Sequence, residues 1–341
     1  MAEVRWHRIS AALAAHGHTV HMASAEIRWR FSRPLPDDTG VTIVPVTRID
    51  WPSYDMVKTL FHAGFETLEK YGGASHPFII SKLGSVVGPT DMDGIYFYGR
   101  QRQKMFETQE RIAEASRYVA LLSQSAVDLW REMFGGSQEV LLVPGAADAV
   151  IPPPLQDPYP SEVKIRCVFS GNFYQSRDTS QPEAHRAIAA RLNELGRLLS
   201  ERGARLFVVG PGDRSSLDVR FVTYCGAVTH EQSWDYLHFA TVGTVVAAGP
   251  FMHNNESTKI YHYLRAGLPV VSEAGFPNDN IVRESGLGVV VDNGDPEAMA
   301  DRIIEAADTS WDRSAAIQYI LKNHTWEHRA AIYHQVLQRH A

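Results

Sequence analysis

Short apolar runs alternate with amphipathic helical segments along almost the whole chain, and this alternation restricts the fold more than any other feature. Runs such as "YVALLS" (118–123) and "EVLLVPG" (139–145) are nearly free of polar residues, which is typical of strands covered on both faces of a parallel sheet. Further strands are predicted over 18–24, 41–46, 76–83, 164–170, 205–209, 220–224, 242–247, 268–272 and 288–291. Helices are predicted over 54–72, 100–115, 124–134, 182–201, 230–239, 256–266, 296–307, 312–322 and 325–340. This order of elements predicts an α/β protein with parallel sheets.

The segment "IPPPLQDPYPSE" (151–162) interrupts the alternation with five prolines in twelve residues, which is typical of a linker. A length of 341 residues also exceeds what one ordinary core accommodates. We therefore predict an N-terminal domain over 1–150, a C-terminal domain over 151–323, and a closing helix over 324–341 that returns to the N-domain. Two doubly wound, Rossmann-like sheets facing a cleft are expected, with ligands outside the carboxyl ends of the strands.

Charge and composition exclude several classes of protein. The formal net charge is −6, so non-specific attraction to nucleic acid is not expected from the whole-molecule field. The two cysteines, Cys167 and Cys225, lie in or beside apolar runs and indicate buried thiols in a reducing compartment. The sequence has no run of 18 or more apolar residues, so no membrane span is predicted. It also has no secretory signal pattern, and a cytoplasmic protein is therefore predicted.

The stretch "HNNESTKIYHYLRAGLPVVSEAG" (253–275) carries the clearest functional signal. Ser257, Thr258 and Lys259 fall where a helix is predicted to begin, and Gly267 falls where it is predicted to end. A helix start presents unpaired N–H groups and the positive end of the helix dipole, which together suit phosphate. The residues alone leave open a simpler interpretation, an ordinary helix cap followed by a solvated lysine.

Several motifs along the chain resemble those of GT-B glycosyltransferases, notably glycosyltransferase family 4 (group 1). In that family the pattern K-L-x-E-Y-x-A-x-G-x-P-V-V is similar to "ESTKIYHYLRAGLPVV" here. The segments "LAAHGHTVHMAS" (13–24), "LLVPGAAD" (141–148), "FSGNFYQSRD" (169–178) and "LFVVGPG" (206–212) resemble further family segments in the same order. The resemblance covers most of the chain and is strongest over 164–307. It implies the GT-B fold and a hexosyltransferase-like enzyme of carbohydrate biosynthesis.

The resemblance also implies a site for a nucleoside diphosphate sugar. Arg177 and Lys259 correspond to the cations that contact the diphosphate, and they are the expected catalytic residues. The remaining donor-binding residues that it implies are Gly171, Asn172, Gly210, Asn254, Asn255, Glu256, Ser257, Thr258 and His262. The resemblance implies no cofactor and no metal, since these cations would stabilise the leaving group, and UDP is the expected nucleotide.

Two departures from the family pattern affect what is expected. The paired glutamates of its E-x(7)-E motif fall at Asn254 and His262, and Glu256 is expected to substitute for the first of them. The family also opens with a strand and a glycine-rich loop, whereas here residue 2 already begins the predicted first helix. The N-domain is therefore expected to lack its first strand unless a longer polypeptide supplies it upstream.

The function predicted from these observations is metal-independent transfer of a sugar to an acceptor hydroxyl with retention of configuration. A small molecule, a glycan or a lipid-linked molecule is the expected acceptor, and peripheral membrane contact and homo-oligomerisation stay open. An inverting reaction would need a base from the N-domain, for which His76, Asp91 and Asp93 are the candidates. The alternatives are a non-catalytic nucleotide-sugar-binding subunit and a nucleotide-sugar epimerase.

Overall fold

The computed structural model describes residues 2–24, 33–34, 39–88, 99–136, 138–171, 182–249, 255–292 and 295–340. This part of the chain forms two compact units. The first unit holds the described residues up to Gly145 together with those from Thr325 onward. The second unit holds those from Ala146 to His324.

Strands and helices alternate throughout, as the apolar periodicity predicts. The strands are β1 (Val20–Ser24), β2 (Arg33–Pro34), β3 (Val41–Pro45), β4 (Val57–Leu60), β5 (Ile79–Lys82), β6 (Tyr118–Leu121), β7 (Glu139–Leu142), β8 (Ile165–Ser170), β9 (Ala204–Val209), β10 (Val222–Gly226), β11 (Val242–Val245), β12 (Val270–Glu273) and β13 (Gly288–Val291). The helices are α1 (Ala2–Ala15), α2 (Phe61–Lys70), α3 (Gly99–Ala115), α4 (Gln124–Phe134), α5 (Pro182–Glu201), α6 (His230–Phe239), α7 (Thr258–Arg265), α8 (Asn280–Ser285), α9 (Pro296–Asp308), α10 (Arg313–Asn323) and α11 (Trp326–His340).

The first unit contains two sheets within the described residues. One has the order β1-β3-β2, with β1 and β3 parallel and the two-residue β2 antiparallel to β3. The other is parallel throughout and has the order β4-β5-β6-β7. Every residue of β5 and β6 is buried, which is why these strands read as continuous apolar runs. The helix α11 closes this unit by packing on α1, where His18 and His334 share a 2.8 Å hydrogen bond.

The prediction of one helix over 54–72 is wrong in its first part. Residues Val57–Leu60 form β4, which pairs with β5, and α2 begins only at Phe61. Phe61 has a φ of 59°, an unusual value for a bulky residue, and the chain passes through it from strand to helix without a connecting loop. Because the chain turns so abruptly, the spacing of apolar residues runs on across the boundary and conceals it.

The second unit is built on one parallel sheet of six strands with the order β10-β9-β8-β11-β12-β13. Successive residues of β8 point to opposite faces: Cys167 and Phe169 join one apolar cluster, and Val168 joins the other. The first cluster includes Leu192 of α5, and the second includes Trp234 of α6. The sheet is therefore covered by helices on both faces, as a doubly wound α/β fold requires.

The proline-rich segment belongs to the second unit and is anchored on it. The Tyr159 ring is buried against Phe207, and its hydroxyl donates to the Tyr236 carbonyl at 2.7 Å. The guanidinium of Arg166 donates to Asp157 at 2.8 Å and to the Val163 carbonyl at 3.0 Å. Within the part of the chain described, no helix combines the length and apolar character needed to cross a bilayer.

Candidate donor site

The carboxyl ends of β8 and β11 define the candidate site in the second unit. From β8 the chain proceeds through β9 and β10 to one side of the sheet, and then returns to place β11, β12 and β13 on the other side. The strand order thus reverses between β8 and β11. In open α/β sheets this reversal, the topological switch point, is where ligands bind.

Two glycines bring the ends of β8 and β9 into close contact. The Gly171 amide donates to the Val209 carbonyl at 2.8 Å, directly after β8. Gly210 follows β9 with a φ of 134°, and a Cβ there would lie 2.3 Å from the Gly171 carbonyl oxygen. A side chain at 210 is therefore excluded by the backbone itself. The first glycine of the motif "VVGPG" is therefore required by the contact between the two strand ends.

The start of α7 is fixed by a side chain that the sequence did not indicate. Ser257 is the N-cap residue, but its hydroxyl makes no capping hydrogen bond. Instead, the Asn278 side chain accepts from the Ser257 amide at 2.9 Å and donates to the Ser257 carbonyl at 3.0 Å. Asn278 is buried in the segment after β12, so the loop following one strand sets the position of the helix that precedes it.

Lys259, in the first turn of α7, reaches the end of β8. A Cβ on Gly171 would lie 2.9 Å from Lys259 Cε and 3.2 Å from its Nζ. The Lys259 Nζ also lies 4.6 Å from the centroid of the Phe169 ring, a cation–π distance. Although the side chain as a whole is only partly buried, desolvation of the amine lowers the pKa of Lys259 to about 8. At neutral pH the group is still mainly protonated.

The positive charge of Lys259 has no acidic partner in the described residues, because no carboxylate there lies within ion-pair distance of its amine. A desolvated cation is unfavourable unless something compensates it. Here the cation lies beside a helix N-terminus and a glycine, at the switch point of the sheet. These features together describe a site for an anion.

Tyr263 of α7 contacts the end of β8, the strand that leads into Gly171. Its hydroxyl accepts a 2.8 Å hydrogen bond from the Ser170 amide and lies 3.4 Å from the carbonyls of Val168 and Thr244. A Cβ on Gly243 would lie 2.5 Å from the Tyr263 ring. The ring therefore fills the space where β8 and β11 separate, and this space is kept open by the missing side chain of a strand glycine.

The family of this region follows from its sequence profile. Residues 164–309 match the family model described as Glycosyl transferases group 1. This part of the chain is a group 1 glycosyltransferase domain. The matched residues include β8, α7 and the segment that carries Asn278, so the geometry above lies inside that domain. No curated protein matches this sequence.

Solved structures extend the likeness in fold to the full chain. Sucrose-phosphate synthase from Thermosynechococcus elongatus has a TM-score of 0.72 at 14% identity, over 98% of this chain and 92% of that one. WaaG, a glycosyltransferase involved in lipopolysaccharide biosynthesis, has a TM-score of 0.56 at 14% identity, over 98% and 91%. A UDP-forming α,α-trehalose-phosphate synthase from Burkholderia vietnamiensis has a TM-score of 0.57 at 10% identity, over 83% and 72%. The prediction of a GT-B fold is confirmed.

The domain also contains an ion pair between a partly exposed arginine and a buried carboxylate, which the sequence did not indicate. Glu273, at the carboxyl end of β12, is buried and accepts from Arg191 of α5 at 3.0 Å. The same carboxylate oxygen accepts from the Ala247 amide at 2.9 Å. The pair therefore holds the chain just beyond β11, on the second side of the switch point. Arg191 and Glu273 are 82 positions apart in the sequence, so no local sequence pattern connects them.

Two of the residues proposed for sugar and ribose have other contacts in the domain. The Glu256 carboxylate accepts a 2.8 Å hydrogen bond from the Tyr261 hydroxyl. The His262 ring lies 5.5 Å from the Trp234 ring, and burial lowers the pKa of this imidazole to about 4, so it is neutral at pH 7. Roles for both in donor binding stay predictions, as they do for Asn255 and Thr258 in the same segment.

The other predicted site residues are placed as follows. His76 in the first unit is buried; its Nδ1 accepts from the Phe78 amide at 3.0 Å and its Nε2 donates to the Tyr54 carbonyl at 2.7 Å. Because the backbone engages both ring nitrogens, this geometry argues against His76 as a catalytic base. Five predicted residues lie outside the described residues: Asp91, Asp93, Asn172, Arg177 and Asn254.

Proposed function

We propose that this glycosyltransferase uses a nucleoside diphosphate sugar, with UDP as the nucleotide, and transfers the sugar to an acceptor hydroxyl with retention of configuration. The observation that carries the proposal is the Lys259 amine, desolvated beside Gly171 at the switch point. Its partner in the reaction is the diphosphate. One structural neighbour is a UDP-forming synthase, which supports the choice of nucleotide.

The leaving group determines what the site must do. As the bond between the anomeric carbon and the phosphate oxygen breaks, negative charge grows on the β-phosphate. Lys259 and the N-terminal end of α7 stabilise that charge, and they do so more strongly in the transition state than in the bound donor. Arg177 is the second cation of the proposal. Positive charge from these side chains performs the neutralising role that a metal ion performs elsewhere, and the proposed reaction is metal-independent.

Retention follows if the acceptor approaches from the side of the leaving group. The acceptor oxygen then bonds to the anomeric carbon as the phosphate departs, and a phosphate oxygen takes the acceptor proton. No protein base is required for this step, which agrees with the engagement of both His76 nitrogens. The acceptor class in the proposal is a sugar-containing molecule, free or lipid-linked, and the reaction is placed in the cytoplasm.

A binding experiment tests the nucleotide part of the proposal. The unfolding temperature is measured with UDP, GDP, TDP and ADP. A ligand at 100 times its dissociation constant adds about 2.7 kcal/mol to the free energy of unfolding, so binding is readily seen. UDP is expected to stabilise the protein most, and the effect is expected to vanish in Lys259→Ala. Equal, negligible shifts with all four nucleotides would overturn the assignment of the site.

Turnover is tested separately with a panel of UDP-sugars and sugar acceptors, by measuring UDP release and the anomeric configuration of the product. Release that depends on the acceptor, with a retained product, is expected. Nucleotide binding without release would instead identify a nucleotide-sugar-binding subunit. Interconversion of the donor sugar without transfer would identify an epimerase, and an inverted product would refute retention.

A further inference from the structure

A carboxylate lies close to Lys259 in the sequence but does not reach its amine in the structure. Glu256 precedes Lys259 by three residues, the spacing at which opposite charges pair along a helix. It also lies one residue ahead of Ser257, the N-cap of α7, where the positive end of the helix dipole attracts negative charge. Both effects favour a contact between the Glu256 carboxylate and the anion site. A carboxylate in that position would take the place of the diphosphate.

The Glu256 carboxylate is instead held by Tyr261. The Tyr261 hydroxyl donates to Glu256 Oε1 at 2.8 Å, and the tyrosine side chain is completely buried. Its ring lies 5.5 Å from the ring of His324, the C-cap residue of α10. A ring packed in this way has little freedom to move, so its hydroxyl has a fixed position. The hydrogen bond therefore fixes the position of the carboxylate as well.

The geometry of α7 places this hydrogen bond on the side of the helix away from Lys259. Lys259 and Tyr263 are four residues apart, and both contact the end of β8. Tyr261 is two residues from each of them, which is a rotation of about 200° around the helix axis. The side chain that holds Glu256 therefore points away from the strand end that Lys259 faces.

Two properties of Lys259 agree with this separation. Within the part of the chain described, no carboxylate forms an ion pair with its amine. Desolvation lowers the pKa of the amine, and no carboxylate among the described residues counteracts that effect. An opposite charge within about 4–6 Å would favour the protonated form and raise the pKa. The Glu256 carboxylate thus lies too far from the amine to act on it.

We infer that Tyr261 is a positioning residue of the donor site: its hydroxyl holds the Glu256 carboxylate away from Lys259, and so leaves the amine and the start of α7 to the donor diphosphate. The inference rests on the function proposed above, since the anion that benefits is the diphosphate of the nucleotide. Tyr261 acts through Glu256 and makes no contact with the donor itself. Without the hydroxyl, Glu256 is expected to pair with Lys259 and to compete with every anion at the site.

A double-mutant cycle at Tyr261 and Glu256 tests the inference. Tyr261→Phe is expected to lower UDP affinity about fivefold, the scale of one partly exposed ion pair that must be broken before the diphosphate binds. In the Glu256→Gln background, the same change at Tyr261 is expected to alter UDP affinity less than about twofold, because glutamine has no charge to pair with the amine. Calorimetry at neutral pH gives the four affinities. An equal loss in both backgrounds, or no loss in either, would overturn the inference.

A second measurement needs no ligand and separates this inference from the proposed function. The pKa of Lys259 in the unliganded protein is followed by NMR with lysine labelled at Cε. It is expected to rise from about 8 in Tyr261→Phe, because the Glu256 carboxylate then stabilises the protonated amine, and not to rise when Glu256→Gln is also present. An unchanged pKa in Tyr261→Phe would overturn the inference. A raised pKa in a protein whose wild type binds no UDP would support the role of Tyr261 and overturn the proposed nucleotide.

Tyr159→Phe is the matched control. It removes another tyrosine hydroxyl of the same unit, which donates to the Tyr236 carbonyl at 2.7 Å on the anchored proline-rich segment. UDP affinity is expected to stay unchanged in this variant. A loss as large as that in Tyr261→Phe would show a general effect of removing a tyrosine hydroxyl, and would overturn the specific role of Tyr261.

Discussion

The hydroxyl of Tyr263 lies 2.8 Å from the Ser170 amide nitrogen and accepts its hydrogen bond in the gap between β8 and β11. A side chain from α7 thus completes the backbone bonding of the strand that leads into Gly171. The helix that carries Lys259 and the strand end that faces it are tied together by this contact. The geometry of the candidate donor site consequently depends on a residue that need not touch the donor.

Tyr263→Phe is expected to lower both stability and donor affinity. The substitution leaves the half-buried Ser170 amide without its acceptor, which costs about 1–3 kcal/mol. Chemical denaturation and UDP calorimetry measure the two effects. Tyr319→Phe serves as the matched control, since it removes the hydroxyl that bonds Glu284 on the surface and is expected to change little. Unchanged UDP affinity in a destabilised Tyr263→Phe would separate this contact from the site.

Lys259→Ala is expected to reduce turnover by about 10²–10³-fold, the scale of losing one preorganised charge stabiliser. The same change at Lys322, an exposed residue of α10, is expected to leave turnover unchanged. Initial rates of UDP release at saturating acceptor measure both variants. Wild-type turnover in Lys259→Ala would contradict the assignment of its amine to the leaving phosphate.

The pH dependence of donor binding is expected to follow the Lys259 amine. Its pKa of about 8 in the free protein means that the charged form is lost as pH rises above that value. UDP affinity is then expected to fall by up to about tenfold per pH unit. Calorimetry from pH 6.5 to 9.5 measures the slope, with Lys259→Met as the control that removes it. A slope that survives in Lys259→Met must come from another group.

The free energy of unfolding of the unliganded protein is expected to change in the opposite direction. The unfolded chain keeps the ordinary Lys pKa of 10.5, so between pH 8 and 10.5 it binds more protons at this position than the folded protein does. The contribution of Lys259 to stability therefore rises with pH across this window. Denaturation of the wild type against Lys259→Met isolates the contribution. A difference that stays constant with pH would contradict the lowered pKa.

Gly210→Ala is expected to destabilise the protein by about 1–3 kcal/mol, because the new Cβ meets the Gly171 carbonyl and the backbone has a left-handed φ. Each kcal/mol corresponds to about 2–4 °C in the unfolding temperature of a domain of 150–250 residues. Gly136→Ala is the control, since a Cβ there meets nothing within 4 Å. Equal unfolding temperatures for the two variants would show that the two strand ends move apart easily.

The ion pair of Arg191 and the buried Glu273 gives a prediction that concerns stability alone. Arg191→Ala leaves the buried Glu273 carboxylate without its partly exposed cation and is expected to cost about 1–3 kcal/mol. The double change Arg191→Met with Glu273→Gln is expected to recover most of that loss, because the amide oxygen still accepts from Ala247. Urea denaturation of the two variants gives the comparison. A double variant as unstable as Arg191→Ala would indicate that the charge itself is needed.

The sequence predicted most elements because apolar runs and helical spacing are local properties. The helices over 182–201 and 230–239 have the predicted bounds, and Gly267 ends α7 with a φ of 70°. The error over 54–72 arose because strand and helix join directly at Phe61. The Lys259 position was predicted from its place at a helix start and from family resemblance.

The residues that support Lys259 were not predicted, for a physical reason. Asn278 and Glu273 act on segments 21 and 26 positions away, and such contacts exist only once the sheet has formed. In the sequence, nothing distinguishes Tyr263 from an ordinary aromatic residue on the buried face of a helix. A signal for it was present in Gly243, since a glycine inside an apolar strand indicates the close approach of another group.

The anchored proline-rich segment determines where the second unit can be separated from the rest of the chain. The family match begins at residue 164, yet Tyr159 is part of the apolar cluster of the second unit, and Asp157 binds its Arg166. A graft cut at 164 would remove a buried ring from beside Phe207 and leave that face open to solvent. Chimaeras that exchange this donor module between related proteins should therefore include the proline-rich segment, because it is packed against the module and is not a flexible linker.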